Sequence, residues 1–499
     1  MAFKRYYATK DNTITNSFQQ NLKVRGTGSN MGQSDILETF YIYAQASATS
    51  EEKARILLEF PVSNITSDRT NGSIPSSGSV SFYLKMTNAK HSTTLPRDYK
   101  LSIHAINGSW EEGRGLDMDE YTDITYDNTG SNWVNREGST AWSTAGGDFY
   151  TDSSSSFDAT FLVGDEDLEV DVTTLVEQWI NSDGNVLGSK NNNGFIIKLS
   201  SSYESSTVNS YYTKKFFARS SEFFFRRPVL EARWNSSKRD NRGNMVFSSS
   251  ILPPGENLMC LYMYNYFRGN LMDIAGDSTQ VPVLNFYYSS GSVPEGDPRY
   301  FRDSSNNAVN YLSASRDSKG VYKAAFSITS SIVNSTYPYL VDVWTYSGSQ
   351  VHTGSAITPT SHDFYNYNPN KNYVISMPNL KKKYFKNDKE RFRLYVREKG
   401  WSPNVYTTAR STTPSLLIQS ASYKIFRISD EKTIIPYNTG SDSSTMLSYD
   451  SQGNYFDLDM SILEPGYTFA FQFTFYEDSV SSYREQPNTF KFRLSEEEL

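Results

Sequence analysis

"FAFQFTFY", residues 469–476, sets phenylalanine at 469, 471, 473 and 475. Side chains two residues apart lie on one face of a strand and on no single face of a helix, so these rings belong to a β-strand with one aromatic face. That face is either core or a contact surface. Outward from it the same character recurs. "ILETFYIYAQAS", "ARILLEFPV", "GSVSFYLKMTNA", "YKLSIHAIN", "NGFIIKLS" and "RPVLEARW" alternate or run apolar over strand lengths. So do "ENLMCLYMYNYF", "VPVLNFYYSS", "GVYKAAFSI" and "YPYLVDVWTY", then "YVISMPNL", "ERFRLYVREKG", "GNYFDLDMSIL" and "TFKFRL". "ASYKIFRISDEKTIIPYNTG" reads as a hairpin turning at "SDEK". Clusters of Gly, Asn, Ser and Asp divide the strands.

Composition agrees. Aromatic residues are 15% of the chain, with 36 Tyr and 30 Phe, against 37% hydrophobic and 21% charged. Large rings with polar loops favour pleated sheets. One segment has a helical period: in "DVTTLVEQWIN", Val172, Leu175, Val176 and Trp179 fall at i, i+3, i+4 and i+7, with Asp171 or Thr173 as the cap. The expected class is all-β with one short helix.

A chain of 499 residues exceeds a single core and implies about three domains. The polar stretch "NSSKRDNRGN" reads as a linker, with a boundary near Ser236, and "TPTSHDFYNYNPNKN" marks a second near Ser361. The expected order is an N-terminal arm over 1–20, a jelly roll over 21–235, and two smaller immunoglobulin-like sandwiches over 245–360 and 361–499. No heptad, collagen triplet or solenoid period occurs, which argues against a coiled-coil shaft and a parallel β-helix.

The formal charge of −7 gives no global attraction to nucleic acid or an anionic membrane. The single cysteine, Cys260, has no partner for an intramolecular disulfide and reads as a buried small hydrophobe. No window approaches the roughly 18 apolar residues of a membrane helix, and "MAFKRYYATK" lacks a signal-peptide core, so the chain reads as soluble and made in the cytosol.

Several constellations invite chemistry. In the acidic stretch from Ser109 to Val134, Asp117, Asp119 and Asp123 occupy positions 1, 3 and 7 of a twelve-residue calcium loop, but Tyr121, Thr122 and Asn128 stand where a donor, the glycine and the closing carboxylate belong. Glu111, Glu112 and Asp119 offer carboxylates for a glycosidase pair without showing the required separation. His91, His104, His352 and His362 form no HExxH motif, and no serine sits in a G-x-S-x-G elbow. "GTGSNMG", residues 26–32, lacks the Lys-Ser/Thr ending of a phosphate loop and reads as a flexible turn. Metal, cofactor and catalytic residues are therefore expected to be absent. The basic run "LKKKYFKNDKERFRLYVREKG" places Lys381, Lys382, Lys383, Lys386, Arg391 and Arg393 as a candidate docking patch for an acidic partner, set against the plain alternation of a solvated strand.

Several first-half segments occur in the order of a known pattern: "ARILLEFPV", "WEEG", "NWV", "AWSTAGGDF", "LEVDVTTLVEQWIN", "NGFIIKL" and "FFARSSEFFFRRPVLEARW". This set resembles the DNRLRE-type domain, a jelly roll grouped with carbohydrate-binding module family 96. The resemblance implies a scaffold role for the acidic stretch and links the domain to polysaccharide binding without assigning a contact residue. Trp110, Trp133 and Trp142 are candidate glycan platforms on which a sugar could stack, with buried packing as the other reading of each. "FKRYYATKDNTITNSF" followed by "VRGTGSNMGQSDILETFYIYAQAS" is similar to the opening of virion structural proteins of contractile-tailed marine cyanobacterial phages.

Together these imply a non-enzymatic virion protein present in several copies, at the tail periphery or baseplate first, then the neck or collar, then the capsid surface. Its partners would be other virion proteins, with no membrane and no nucleic acid. The alternative is a glycan-binding host-adsorption module that takes host surface polysaccharide. Because "KRYYATKDNTITN" has few core-forming residues, Lys4, Arg5, Tyr6 and Tyr7 are expected in an arm that adds to a partner's sheet, and deletion of residues 1–16 is expected to leave the chain folded.

Overall fold

The computed structural model describes residues 2–91, 95–118, 130–180, 188–361, 371–402, 405, 415–440, 442–477 and 479–496. The chain is all-β and forms two compact units, Ala2–Trp234 and Asn235–Leu499.

In chain order the strands of the first unit are β1 (Phe3–Tyr7), β2 (Lys10–Thr15), β3 (Ile36–Tyr43), β4 (Glu51–Glu59), β5 (Ser81–Met86), β6 (Tyr99–Ala105), β7 (Asn135–Glu137), β8 (Thr140–Ala141), β9 (Ser156–Phe161), β10 (Leu168–Asp171), β11 (Phe195–Leu199), β12 (Tyr211–Phe217) and β13 (Val229–Arg233). One sheet has the order β1-β13-β5-β10. The other runs β12-β3-β4-β11-β6-β9, with β2 also paired to β4. Alternation turns Phe82, Leu84 and Leu230 of the first sheet toward Ile56, Leu101 and Ile197 of the second, and these make the sandwich core.

The expected helix is present as α2 (Thr173–Ile180). Asp171 caps it by accepting the Thr173 N–H, and Trp179 packs edge-on against Phe195 at 4.8 Å. The expectation of one helix is corrected: the described residues also contain α1 (Val62–Thr70) and the single turn α3 (Ser201–Glu204). α1 has no apolar period because only Val62 and Ile65 are buried. It is instead tied to α2 by a two-bond ion pair from Arg69 to Glu177, at 2.8 and 2.6 Å.

The expected arm is also corrected. β1 pairs with β13 from Phe3↔Arg233 to Tyr7↔Val229, and β2 pairs with β4 from Lys10↔Glu59 to Thr15↔Ala54. Phe3, Tyr6 and Ile14 are buried. β2 looks unfit for a core because Asp11, Asn12 and Thr13 enter it by hydrogen bonding, which hydrophobicity does not register.

The second unit contains two groups of sheets. In one, Met259–Tyr264, Val321–Phe326 and Ser315–Ser318 form a sheet, and Leu312–Ser313, Val283–Ser289, Tyr339–Tyr346 and Ser349–Thr353 form another. Their shared core includes Leu261, Phe286, Tyr322, Phe326 and Trp344. In the other group, Tyr373–Ser376, Lys389–Glu398, Gly453–Asp459 and Ser448–Asp450 make a four-stranded sheet. A five-stranded sheet runs through Lys383–Phe385, Ser482–Ser495, Thr468–Glu477, Ala421–Arg427 and Thr433–Ile435.

The four phenylalanines of "FAFQFTFY" are core: Phe471 lies 4.9 Å from Phe392, 5.2 Å from Phe456 and 4.7 Å from Phe492. The polar stretch read as a linker is pinned to both groups. The Asp240 N–H bonds to Tyr449 O at 3.0 Å, and Arg242 holds Asp342 with two bonds of 2.7 Å. Gly354 makes room for that pair, since a Cβ there would sit 2.0 Å from Asp342 Oδ1.

Candidate functional site

Of the segments singled out in the first unit, Glu112 and the "GTGSNMG" loop meet at β2. Asn12 donates to Ser131 O at 2.8 Å and to its Oγ at 2.9 Å, and accepts the Met31 N–H at 2.9 Å. Asn30 donates to Glu112 O (2.8 Å) and Ser131 O (2.7 Å), while its Oδ1 accepts the N–H groups of Gly32 (3.1 Å) and Gly115 (2.9 Å). Glu112 receives Arg219 Nε and Nη2 at 3.0 and 2.8 Å, and its Oε1 also takes the Asp11 N–H at 2.9 Å. Asp11 Oδ2 accepts the Arg219 N–H, whereas Asp11 Oδ1 is buried without a hydrogen-bond partner.

This clamp joins β2 to the loops at 26–34, 107–118 and 130–134. The "GTGSNMG" loop read as a flexible turn is therefore held. Its glycine at 32 is required, because a Cβ would sit 2.3 Å from Glu112 O; at Gly115 a Cβ would sit 1.8 Å from Asn30 O. Replacing Asn30 with Ala strands the Gly32 and Gly115 N–H groups, and about 2 kcal/mol of stability is expected to be lost in urea unfolding. An unchanged midpoint would mean the loops hold without the clamp.

The three expected glycan platforms are buried. Trp110, Trp133 and Trp142 are only 3%, 8% and 4% exposed and form a small second core with Ile14, Leu57, Ile106 and Ile196. Trp110 Nε1 donates to Asn193 O at 2.8 Å and Trp142 Nε1 to Asn132 O at 2.9 Å, while the Arg55 guanidinium lies 5.1 Å from the Trp133 ring. Of the two readings open for these indoles the structure shows buried packing and not the platform, since a sugar needs an open indole face and these faces cover the outside of a sheet that would otherwise be wet and apolar.

The acidic stretch divides. Glu111 Oε2 accepts the Gly130 N–H at 3.1 Å, and Glu112 holds Arg219. Asp119 and Asp123 lie outside the described residues, as does His362. Among the described residues no group of three or more His, Cys, Asp or Glu is placed to hold a metal ion. His91 meets Asn88 Oδ1 at 2.7 Å and is pushed down to about 4 by burial and the Lys214 charge. His104 meets Tyr150 O and Ser156 Oγ and is also held low, mainly by burial and then by Lys198. His352 lies on the strand Ser349–Thr353 with its side chain exposed.

The residues assigned to a partner-binding arm are all engaged within the unit. Lys4 pairs with Asp68 at 2.6 Å, Tyr6 Oη donates to the same carboxylate at 2.8 Å, and Tyr7 packs on Phe224 at 4.5 Å. Arg5 holds Glu231 at 2.7 Å, and Arg233 bridges Glu231 and Glu169 at 2.8 Å each. Burial works to raise the Glu231 carboxyl, but Lys85, Arg5 and Arg233 outweigh it and hold the group well below the usual carboxylate range.

The basic run is largely matched by acids. Lys381 pairs with Glu390, Arg391 makes two bonds to Asp457 (2.7 and 3.0 Å), and Arg393 makes two to Asp450 (3.0 and 2.8 Å). Lys382 and Lys383 are exposed, with Lys383 over Phe385 at 4.8 Å, and Lys386 is half-buried and engaged. Of the two readings of the basic run, these contacts match the solvated strand: Arg391 and Arg393 face acids of the sheet they belong to, Asp457 and Asp450.

Sequence reading did not single out two other features. A polar cleft of about 950 Å³ in the second unit is lined by Arg239, Asn241, Cys260, Tyr262, Lys323 and Tyr449, among others. Cys260, expected to be buried, is half-buried there, and burial pushes its thiol up, away from a reactive thiolate. The hairpin Tyr266–Phe267 with Asn270–Leu271 turns through Arg268 and Gly269, both at positive φ, and leaves Tyr266 61% and Phe267 56% exposed. "NYFRGN" carries the turn signal, but only the fold shows which rings stay uncovered.

No protein-family model and no curated protein matches the chain. Among solved structures, a chimeric titin Z1Z2 tandem is 10% identical, over 48% of this chain and 91% of that one, with a TM-score of 0.15. A trypsin-activated alpha-2-macroglobulin from Escherichia coli is 7% identical over 88% of this chain and 24% of its own, at 0.16. The tandem V-type regions of a v-region-containing chitin-binding protein are 6% identical over 50% and 95%, at 0.13. Similarity this low carries no argument about function. The class rests on the sheets themselves: an all-β chain of multiple β-sandwiches.

Proposed function

We propose that the chain is a non-enzymatic structural protein of a phage virion that assembles through protein contacts, at the tail periphery or baseplate first, then the neck or collar, then the capsid surface. The observation that carries this reading is the distribution of rings. Sheet faces are spent on internal cores, while Tyr266, Phe267, Tyr300 and Tyr311 stand exposed in the second unit, where they offer area to neighbouring proteins. A specific contact buries on the order of 1,200 to 2,000 Å² in total, which a few such rings and their polar surroundings supply. The N-terminal likeness to virion proteins of contractile-tailed phages supports the same reading.

Image reconstruction of particles of the phage that encodes the chain tests it. Density for this chain at the tail periphery or baseplate is the expected result, and its absence from purified particles rejects the proposal.

A glycan-adsorption reading survives on different residues. Phe223 and Phe224 are exposed, and the Arg226 guanidinium lies 4.8 Å from the Phe223 ring. Saturable binding of host surface polysaccharide by the full chain, lost on Phe223→Ala, would favour it over a purely structural role.

A further inference from the structure

We propose that Asp11 is a proton-operated latch on the loop 107–118: neutral, it lets β2, Glu112 and Arg219 close around it, and ionised, it sets a second, poorly partnered carboxylate against Glu112 and loosens the loop. The geometry is asymmetric. The Arg219 guanidinium turns Nε and Nη2 to Glu112, at 3.0 and 2.8 Å, whereas Asp11 receives the Arg219 backbone N–H. Its other oxygen is buried with nothing to bond, on a residue that is 0% exposed. A buried anion in that position lacks both solvent and a counter-ion of its own.

The surrounding charges are few. Glu112 comes from the loop, Arg219 from the segment after β12, and Arg227 from just before β13. On its own strand, Lys10 is committed to Glu59 of β4 at 2.9 Å. Burial dominates and Glu112 adds to it, against the Arg219 N–H and the two arginine charges, so the Asp11 carboxyl is pushed up to about 7.

The linkage has a definite sign. An aspartate whose folded pKa lies above its unfolded value of about 3.9 favours the closed state in acid, and that contribution falls as pH rises toward the folded pKa. When the latch opens the carboxyl regains water and releases its proton. The opening constant should therefore rise about tenfold per pH unit up to about pH 7 and level off above it. The loop it governs carries Trp110 and the Glu111 backbone that binds Ser131, so an open latch would uncover the second core.

Amide hydrogen exchange of the full chain between pH 5 and pH 9, corrected for intrinsic rates, reads this directly at Asp11, Gly115, Gly130 and Arg219, with Phe456 and Phe471 as references. The expected result is a roughly hundredfold rise in opening from pH 5 to pH 7 at the four latch amides, a plateau above, and no such profile at the references. In Asp11→Asn, which cannot ionise, opening should stay low and flat. A flat wild-type profile, or an unchanged rise in Asp11→Asn, overturns the proposal. Should the variant fail to fold, the wild-type profile decides alone: a bend near pH 7 confined to the latch amides upholds the latch, and its absence removes it.

Discussion

Deletion of residues 1–16 is expected to unfold the first unit. The deletion removes β1 and β2 entirely, and with them the pairing to β13 and to one length of β4. It takes Tyr6 and Ile14 out of the two cores, removes the buried Phe3, and leaves Met31, Ser131, Glu112 and Arg219 without their bonds to Asp11 and Asn12. Truncating one buried aromatic side chain typically costs about 3 to 5 kcal/mol, and a whole domain holds only about 5 to 15 kcal/mol of net stability, so losing two strands exceeds what is available. Limited proteolysis of the truncated full chain should digest 17–234 rapidly while 235–499 resists. Equal resistance of both parts would mean that β1 and β2 are dispensable and would restore the reading of this segment as an arm.

Phe456→Ala should give the largest loss among single ring truncations in the second unit. Phe456 is buried with Tyr423 stacked at 4.3 Å and Phe392 at 5.2 Å, while Phe471 (5.2 Å) and Phe473 (6.2 Å) close on it from the strand Thr468–Glu477. Four ring neighbours held on three strands cannot collapse together without breaking the pairing of those strands, so the cavity stays open. A cost of about 4 to 5 kcal/mol is expected, at the upper end of the aromatic-to-alanine range, in urea unfolding followed by circular dichroism. A loss below about 1 kcal/mol would mean that the alternating rings are not the core of this sandwich.

The exposed arginine pairs stand at the other end of the scale. Arg391 with Asp457 is solvated on both sides, and such pairs contribute at most about 1 kcal/mol. Stability in this protein therefore lies in rings and buried amide networks.

How far the sequence could be read depended on whether a residue's role follows from its near neighbours. The alternation of "FAFQFTFY", the turn clusters and the helical spacing of Val172, Leu175, Val176 and Trp179 are local patterns with local causes, and the all-β class and α2 follow from them. α1 was invisible because its serines and threonines carry no apolar period, and its anchor, Glu177, lies over a hundred residues away. The same limit hid the hub on β2. Asp11, Asn12 and Asn30 read as loop or arm residues because polarity in sequence signals exposure, and only the fold brings residues 112, 115, 131 and 219 within bonding distance of them. The indoles stay undecided in sequence for a related reason: a tryptophan among acids suits a platform and a core equally until Ile14, Leu57 and Ile196 arrive from three separate strands to cover it. Short-range periodicity, set by backbone geometry, was enough to determine the class of structure. Which polar groups are buried and which rings stay exposed is fixed by contacts between distant segments, and the tertiary structure alone decided that.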